Sequence, residues 1–141
     1  METCALVQGI GERITPFSMP SDFFILLVKP SMGVPTGKAF SMLDFEKCDH
    51  PDCTAVMEVL QKGELKKLQH VISNSLEYSA FQLVPEIAHI KEKLQDMGFD
   101  AVLMSGSGST VFAITKNKEL LQAAYQNMND GHNFVCQTRI K

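Results

Sequence analysis

The segment Met104–Ile114 reads MSGSGSTVFAI, and it places two glycines and three serines between apolar residues. Glycine adopts positive φ at no steric cost and lets a ligand approach the backbone closely. Consecutive backbone N–H groups in such a loop can converge on an anion, and serine hydroxyls add further donors. The pattern therefore predicts a phosphate-binding loop formed by Ser105, Gly106, Ser107, Gly108, Ser109 and Thr110.

A simple hairpin turn is the alternative interpretation of this loop, because glycine-rich turns between strands are common. The spacing is not that of a P-loop, since the lysine of that motif is absent. It is not a dinucleotide fingerprint either, since a strand-like segment rather than a helix follows. Spacing alone leaves the turn and the phosphate site open. The three serines favour the phosphate site, because a two-residue hairpin has no need of them.

The composition excludes several classes of protein. The 141 residues suffice for one domain, and 45% apolar with 21% charged residues is typical of a globular chain. A net charge of −3 without a basic cluster argues against binding to nucleic acid. No apolar run reaches the roughly 18 residues of a membrane span, and the first residues lack the basic region of a secretory signal. We therefore expect a cytoplasmic protein without membrane contact.

The four cysteines are expected to be reduced thiols, as is usual in the cytoplasm. The segment Cys48–Cys53 places His50 between two cysteines, but a zinc site normally needs a second pair of ligands. The remaining cysteines and histidines show no paired spacing. We therefore predict no metal site.

Hydrophobic periodicity predicts the elements that position the loop. The predicted strands are Phe23–Val28, Phe99–Met104, Thr110–Thr115 and Asn133–Ile140. The first of these is a continuous apolar run, which is typical of a strand buried on both faces. Pro85–Met97 shows the spacing of an amphipathic helix, and Asn117 is expected to cap the helix that follows the third strand.

From residue 22 onward the order is strand, helices, strand, strand, helix, strand. This is the split βαβ pattern of a ferredoxin-like α+β domain. We expect a four-stranded antiparallel sheet with helices on one face, preceded by a short N-terminal extended segment. The expected division is an inter-domain segment over 1–21 and the domain itself over 22–141.

Three polar residues outside the loop stand where helices are predicted to begin. Thr36 and Asn74 are expected to cap helices. Glu77 falls in a first turn, where the helix dipole favours a carboxylate. These roles are structural.

Several segments together resemble the GHMP kinases, which phosphorylate small molecules with ATP. MSGSGSTVFAI resembles the third conserved motif of that family. The segments GIGERITPF, FFILLVKPSMGVPTGKAF and NSLEYSAFQLVPEIAHIKEKLQDMGFDAVLMSGSGSTVFAI follow in order the C-terminal half of one branch. That branch phosphorylates the 2-hydroxyl of 4-diphosphocytidyl-2-C-methyl-D-erythritol in the non-mevalonate route to isoprenoids. The resemblance spans Ala5–Ile114 and continues more loosely to the end of the chain.

The resemblance implies a ferredoxin-like fold, and a whole enzyme that uses ATP and Mg²⁺ on a phosphorylated small molecule. It implies that Ser105–Ser109 close the active-site cleft beside the phosphate-transfer site. Thr36, Asn74 and Glu77 match supporting positions of the family, whereas Ser75 stands where an aspartate is common. Mevalonate and homoserine kinases share this type of loop, so the loop alone does not fix the substrate.

The nucleotide loop of the family lies in its N-terminal half, with the lysine and aspartate that handle the attacking hydroxyl. None of these is recognisable here. We therefore expect this chain to require a missing N-terminal kinase half, to bind no cofactor alone, to supply no catalytic residue and to be inactive by itself. The alternative is a stand-alone ferredoxin-like module that binds a ligand or forms a homodimer. Most of the eight methionines are expected in the core, and the candidates for an adaptable apolar surface in such a dimer are Met32, Met42, Met57, Met97 and Met104.

Overall fold

Six strands and six helices make up most of what the computed structural model describes, namely residues 4–8, 11–17, 23–43, 46 and 52–140. The strands are β1 (Cys4–Gln8), β2 (Arg13–Phe17), β3 (Phe23–Pro30), β4 (Ala101–Met104), β5 (Val111–Thr115) and β6 (Asn133–Ile140). The helices are α1 (Thr36–Ser41), α2 (Cys53–Lys62), α3 (Leu65–Val71), α4 (Leu76–Leu83), α5 (Pro85–Asp96) and α6 (Lys118–Met128). The strands predicted from the sequence are thus confirmed, and the predicted helix over 85–97 is α5 with its end one residue earlier.

Four strands form one antiparallel sheet in the order β4-β5-β3-β6. Leu26 in the middle of β3 pairs with Ala113 on β5 and with Gln137 on β6. Numbered along the chain, the four strands lie in the spatial order fourth, first, third, second, which is the order of the ferredoxin-like fold. The predicted α+β class and its antiparallel sheet are confirmed. β1 and β2 form a separate two-stranded antiparallel sheet.

One face of the sheet is covered by α5 and α6. Alternate residues of β3, β4 and β5 point into the larger core cluster there, and they pack against apolar residues spaced three or four apart on the two helices. The members of this cluster from the sheet are Leu26, Val28, Val102, Met104, Val111 and Ala113, and those from the two helices are Ile87, Ile90, Leu94, Leu121, Ala124 and Met128.

The other face carries a second, smaller cluster. Phe23, Ala101 and Ile114 pack there against Leu65 and Leu68 of α3. The sequence predicted helices on one face, and α5 and α6 do lie there, but α3 packs on the opposite side. The reason is that α3 has its own pair of apolar residues three positions apart, which it buries against the residues of the strands that point away from α5 and α6. The continuous apolar run in β3 serves both faces, as predicted.

Local sequence signals end or begin several helices. Gly63, at φ +69°, terminates α2, and the Asn117 side chain accepts hydrogen bonds from Glu119 N and Leu120 N at the start of α6. The prediction that Thr36 caps a helix is wrong. Pro35 occupies the position before α1, and Thr36 is already the first helical residue.

Two predicted absences can be examined in the described part of the chain. No helix within residues 4–8, 11–17, 23–43, 46 and 52–140 is long and apolar enough to cross a membrane. The same residues contain no group of three or more His, Cys, Asp or Glu side chains that could hold a metal ion. The segment Cys48–Cys53 lies outside the described residues except for its last two.

Two neighbouring leucines on opposite sides of β3 allow the described burial to be tested. Leu26 is fully buried between strands and helices, while its neighbour Leu27 is half-buried on the other side of the strand and belongs to neither cluster. Leu26→Ala is expected to lower the free energy of unfolding by about 2–5 kcal/mol, because it leaves a cavity. Leu27→Ala is expected to cost about half as much. Urea denaturation of the two variants measures the difference, and equal losses would contradict the assigned register.

Candidate functional site

The glycine-rich loop joins β4 to β5 at the end of the sheet. Ser105 N donates to Thr110 O over 2.8 Å, which extends the strand pairing by one step. Gly108 N donates to Ser105 O over 3.1 Å and closes a tight turn. Gly106 and Gly108 both have positive φ, +56° and +97°, which only glycine adopts readily. The loop therefore has the geometry of a hairpin turn, and its function depends on the donors that the turn leaves available.

The loop presents unused hydrogen-bond donors. Within the described part of the chain, the N–H groups of Gly106 and Ser107 have no acceptor, and both residues reach solvent. The Ser109 side chain is 2% exposed, and its hydroxyl has no hydrogen-bond partner in the same residues. Buried hydroxyl groups are normally paired. Two unpaired N–H groups on residues that reach solvent are the donors expected of a site for a small anion.

Asn74 holds the base of the loop. Its Nδ2 donates to Met104 O and to Gly106 O, both over 2.8 Å, and its Oδ1 accepts from Leu76 N over 3.0 Å. One side-chain amide thus ties the last residue of β4, the loop and the first turn of α4 together. The cap position of α4 is occupied by Ser75, so the prediction that Asn74 caps this helix is wrong, and its side chain instead joins the start of the helix to the loop.

Thr36 and Glu77 also reach the loop or the strand before it. The Thr36 hydroxyl lies 3.3 Å from the Ser107 hydroxyl, in an exposed position. Glu77 Oε2 accepts from Met104 N over 3.0 Å, and both Glu77 oxygens accept from Lys91 Nζ over 2.8 and 2.9 Å. The structure thus brings all three predicted supporting residues to this end of the sheet.

Two residues at this edge were missed in the sequence. Gln69 Oε1 accepts from Val102 N over 2.7 Å, and Lys91 pairs with Glu77. Both lie among polar residues of amphipathic helices, where their types indicate a solvent-facing side. The spacing of fourteen residues between Glu77 and Lys91 has no local meaning, so only the packing of α4 on α5 reveals the pair.

Gly108 is fixed by packing as well as by its backbone angle. A Cβ at this position would lie 3.0 Å from Met104 Sδ and 3.0 Å from Val34 Cγ2. A Cβ at Gly106 would meet nothing within 4 Å. The inner side of the loop is therefore packed on the core, and its tip is open.

Among the described residues, no charged side chain forms a hydrogen bond with residues 105–110.

Two carboxyl groups with shifted pKa lie on the surface away from the loop. A hydrogen bond from Lys67 lowers the pKa of Glu64, and the backbone N–H of His132 lowers the pKa of Asp130. A carboxyl group whose pKa is lowered on folding stabilises the protein above its unfolded pKa, and this stabilisation is lost on acidification; exposure to solvent makes it small. A cavity of about 650 Å³, lined in part by Asp100 and Lys116, lies at the opposite end of β4 and β5.

Comparison with known proteins identifies the family of the chain. The family model described as "GHMP kinases C terminal" matches residues 56–133. The chain therefore belongs to the GHMP kinase family and corresponds to its C-terminal domain. The family resemblance expected from the sequence is confirmed.

Curated relatives narrow the similarity to one kind of kinase. A 4-diphosphocytidyl-2-C-methyl-D-erythritol kinase from Geobacillus sp. (strain WCH70) is 36% identical over 136 residues, which cover 96% of this chain and 47% of the relative. The kinase of that name from Bacillus subtilis is 35% identical over 124 residues, covering 88% of this chain and 43% of the relative. The chain thus spans about half the length of the curated relatives that it matches.

A solved structure agrees with the sequence comparison. The crystal structure of a 4-(cytidine 5'-diphospho)-2C-methyl-D-erythritol kinase superposes with a TM-score of 0.77 at 26% identity, over 96% of this chain and 48% of that one. The match extends over nearly the whole chain, so it supports the assigned fold from β1 to β6.

The role of Asn74 at the base of the loop can be tested by replacing it with aspartate, with the same substitution at Asn117 as the control. Asn74→Asp keeps the acceptor for Leu76 N but removes the two donors to Met104 O and Gly106 O. We expect it to lower the free energy of unfolding by about 2–3 kcal/mol, because two carbonyl groups lose their partner and face a carboxylate. At Asn117 only the side-chain oxygen is used, so Asn117→Asp is expected to change stability by less than about 0.5 kcal/mol. Thermal and urea denaturation measure both, and equal effects would contradict the role of Asn74.

Gly98 provides a control for the packing of Gly108. Gly98 has φ +102°, close to the value at Gly108, but a Cβ there would meet nothing within 4 Å. Gly98→Ala is expected to cost about 1 kcal/mol from backbone strain alone. Gly108→Ala adds contacts with Met104 and Val34, and we expect a further loss of about 1–3 kcal/mol. Urea denaturation compares the variants, and a Gly108→Ala cost no larger than that of Gly98→Ala would show that the loop is not packed as described.

Proposed function

We propose that this chain is the C-terminal half of an ATP- and Mg²⁺-dependent kinase that phosphorylates the 2-hydroxyl of 4-diphosphocytidyl-2-C-methyl-D-erythritol, and that residues 105–110 bind phosphate oxygens at its transfer site. The observation that carries the proposal is the pair of unused N–H groups at Gly106 and Ser107 on a loop whose base is hydrogen-bonded to Asn74. The relatives named above support the substrate, since both are kinases named for it. Such a kinase would work in the cytoplasm.

The proposed contribution of the chain is positioning and charge stabilisation. Phosphoryl transfer needs little covalent chemistry from the protein, and oriented backbone donors stabilise charge on the equatorial oxygens. The loop fits this role, because its donors are held in place before a ligand arrives. Mg²⁺ neutralises phosphate charge in such reactions, but the described residues offer no cluster of ligands for it. The ion would therefore be held by the other half of the enzyme and by the phosphates themselves.

The missing half would cover a surface beside the loop. Phe40 and Met42, at the end of α1, are 53% and 37% exposed, and Tyr78 on α4 is 72% exposed. α1 contacts α4, and both helices carry side chains that bond to the loop or to β4. Exposed apolar side chains grouped near a site are typical of an interface. In this proposal residues 22–141 form the domain, residues 1–21 connect it to the other half, and the uncovered surface leads the isolated chain to form homodimers.

Transfer of labelled phosphate from ATP tests the proposal. The 141-residue chain is assayed alone, and then mixed with the separately expressed N-terminal half of the Bacillus subtilis relative. We expect turnover only in the mixture. Turnover by the chain alone would contradict the proposed incompleteness. If the mixture associates and binds ATP but shows no turnover, the kinase proposal fails and a ligand-binding or dimerisation module remains.

Ser107→Asp examines the loop within that assay. It places a carboxylate among the unused donors, and we expect kcat in the mixture to fall by about 100-fold or more, because like charges repel at the phosphate. Thr138→Asp adds the same charge on an exposed position of β6 and is expected to leave kcat within about twofold. Circular dichroism establishes that both variants fold. A folded Ser107→Asp variant with normal kcat would remove the loop from the transfer site.

A further inference from the structure

Lys91 and Glu77 form an ion pair between α5 and α4 that is largely shielded from water. Lys91 Nζ lies 2.8 Å from Glu77 Oε1, and the two side chains are only 18% and 14% exposed. The ammonium also lies 5.9 Å from the centre of the Phe81 ring, within the range of a cation–π interaction. The Lys67–Glu64 pair has nearly the same distance, 2.9 Å, but its side chains are 68% and 41% exposed.

The shielded pair is connected to the backbone immediately before the loop. Glu77 Oε2 accepts from Lys91 Nζ and from Met104 N at the same time. Met104 O is held by Asn74. Both peptide groups that flank the Cα of Met104 are therefore fixed from outside the sheet, and the next residue along the chain begins the loop.

Loss of the Lys91 charge would leave Glu77 without its cation. A largely buried carboxylate without a partner is costly, and Glu77 can relieve this by turning towards water. Met104 N would then lose its acceptor. The direction of the peptide group before the loop would no longer be fixed, and the N–H groups of Gly106 and Ser107 would lose their alignment.

We propose that Lys91, acting through Glu77, is a positioning residue for the phosphate-binding loop. Lys91 forms no hydrogen bond with residues 105–110, so its effect passes through Glu77 and Met104. The inference rests on the proposed function, because it assigns Lys91 to the same phosphate site. A pair that only fastened α4 to α5 would affect stability and leave the loop unchanged.

Amide hydrogen exchange of the isolated chain separates the two roles. We expect Lys91→Met, which keeps an apolar side chain of similar length, to raise the exchange rate at Met104 N–H by about tenfold beyond the change in global unfolding. The double variant Glu77→Gln with Lys91→Met should restore much of the protection, because the neutral amide oxygen still accepts from Met104 N without an unpaired charge. Lys67→Met, the exposed control, should leave this exchange rate unchanged.

Binding of inorganic pyrophosphate tests the consequence at the loop. The amide resonances of Gly106 and Ser107 are followed by NMR during titration of the folded chain. We expect saturable shifts in the wild-type chain and in Lys67→Met, and a dissociation constant raised about fivefold or more in folded Lys91→Met, because preorganised donors bind more tightly. Lys91→Arg, which keeps the charge, should bind nearly as the wild type does.

The hydrogen-exchange and pyrophosphate-binding experiments together distinguish the failure of this inference from the failure of the proposed function. If exchange at Met104 is the same in Lys91→Met as in the wild type, or if folded Lys91→Met binds pyrophosphate normally, the positioning role is overturned. If the wild-type chain shows no saturable shift, the phosphate site falls together with the inference built on it. The exchange data then show whether the connection from Lys91 to Met104 exists without a ligand.

Discussion

The rest of the site depends on how the outer edge of β4 is hydrogen-bonded. β4 is buried on both faces and stands at one edge of the sheet, so its outward N–H and C=O groups need partners away from bulk water. Side chains provide them: Gln69 accepts from Val102 N, Glu77 accepts from Met104 N, and Asn74 donates to Met104 O. These bonds fix the strand from which the loop departs, and they fasten α3 and α4 to the same edge.

The loop combines a fixed base with a free tip. Asn74 bonds to the backbone on both sides of Ser105, and Gly108 fits against Met104 and Val34 without room for a side chain. The N–H groups of Gly106 and Ser107 remain unpaired among the described residues and reach solvent. Because the base is held by the protein itself, aligning these donors requires little ordering when an anion binds. The loop therefore combines a base fixed by hydrogen bonds with free donors at its tip, which is what the proposed phosphate site requires.

Much of the fold could be predicted from the sequence, because its strands and long helices follow simple periodicity. The apolar run in β3, the helical spacing in α5 and the cap at Asn117 are local patterns, and the structure confirms each. The packing of α3 on the second face could not be predicted, because a short apolar pair does not say which side of a sheet it will cover. Lys91 and Gln69 were missed for a related reason: their partners are distant in sequence, and only the folded chain brings them together.

The most direct test of the central claim is a measurement on the assembled enzyme. The chain, labelled with ¹⁵N, is combined with the N-terminal half of a relative, a non-hydrolysable ATP analogue, Mg²⁺ and the cytidyl substrate. Scalar coupling across hydrogen bonds between loop amides and phosphorus is then recorded. We expect such coupling, and slowed amide exchange, at Gly106 and Ser107. If both amides exchange as fast in the full assembly as in the isolated chain and show no coupling, the loop does not bind phosphate and the central claim is contradicted.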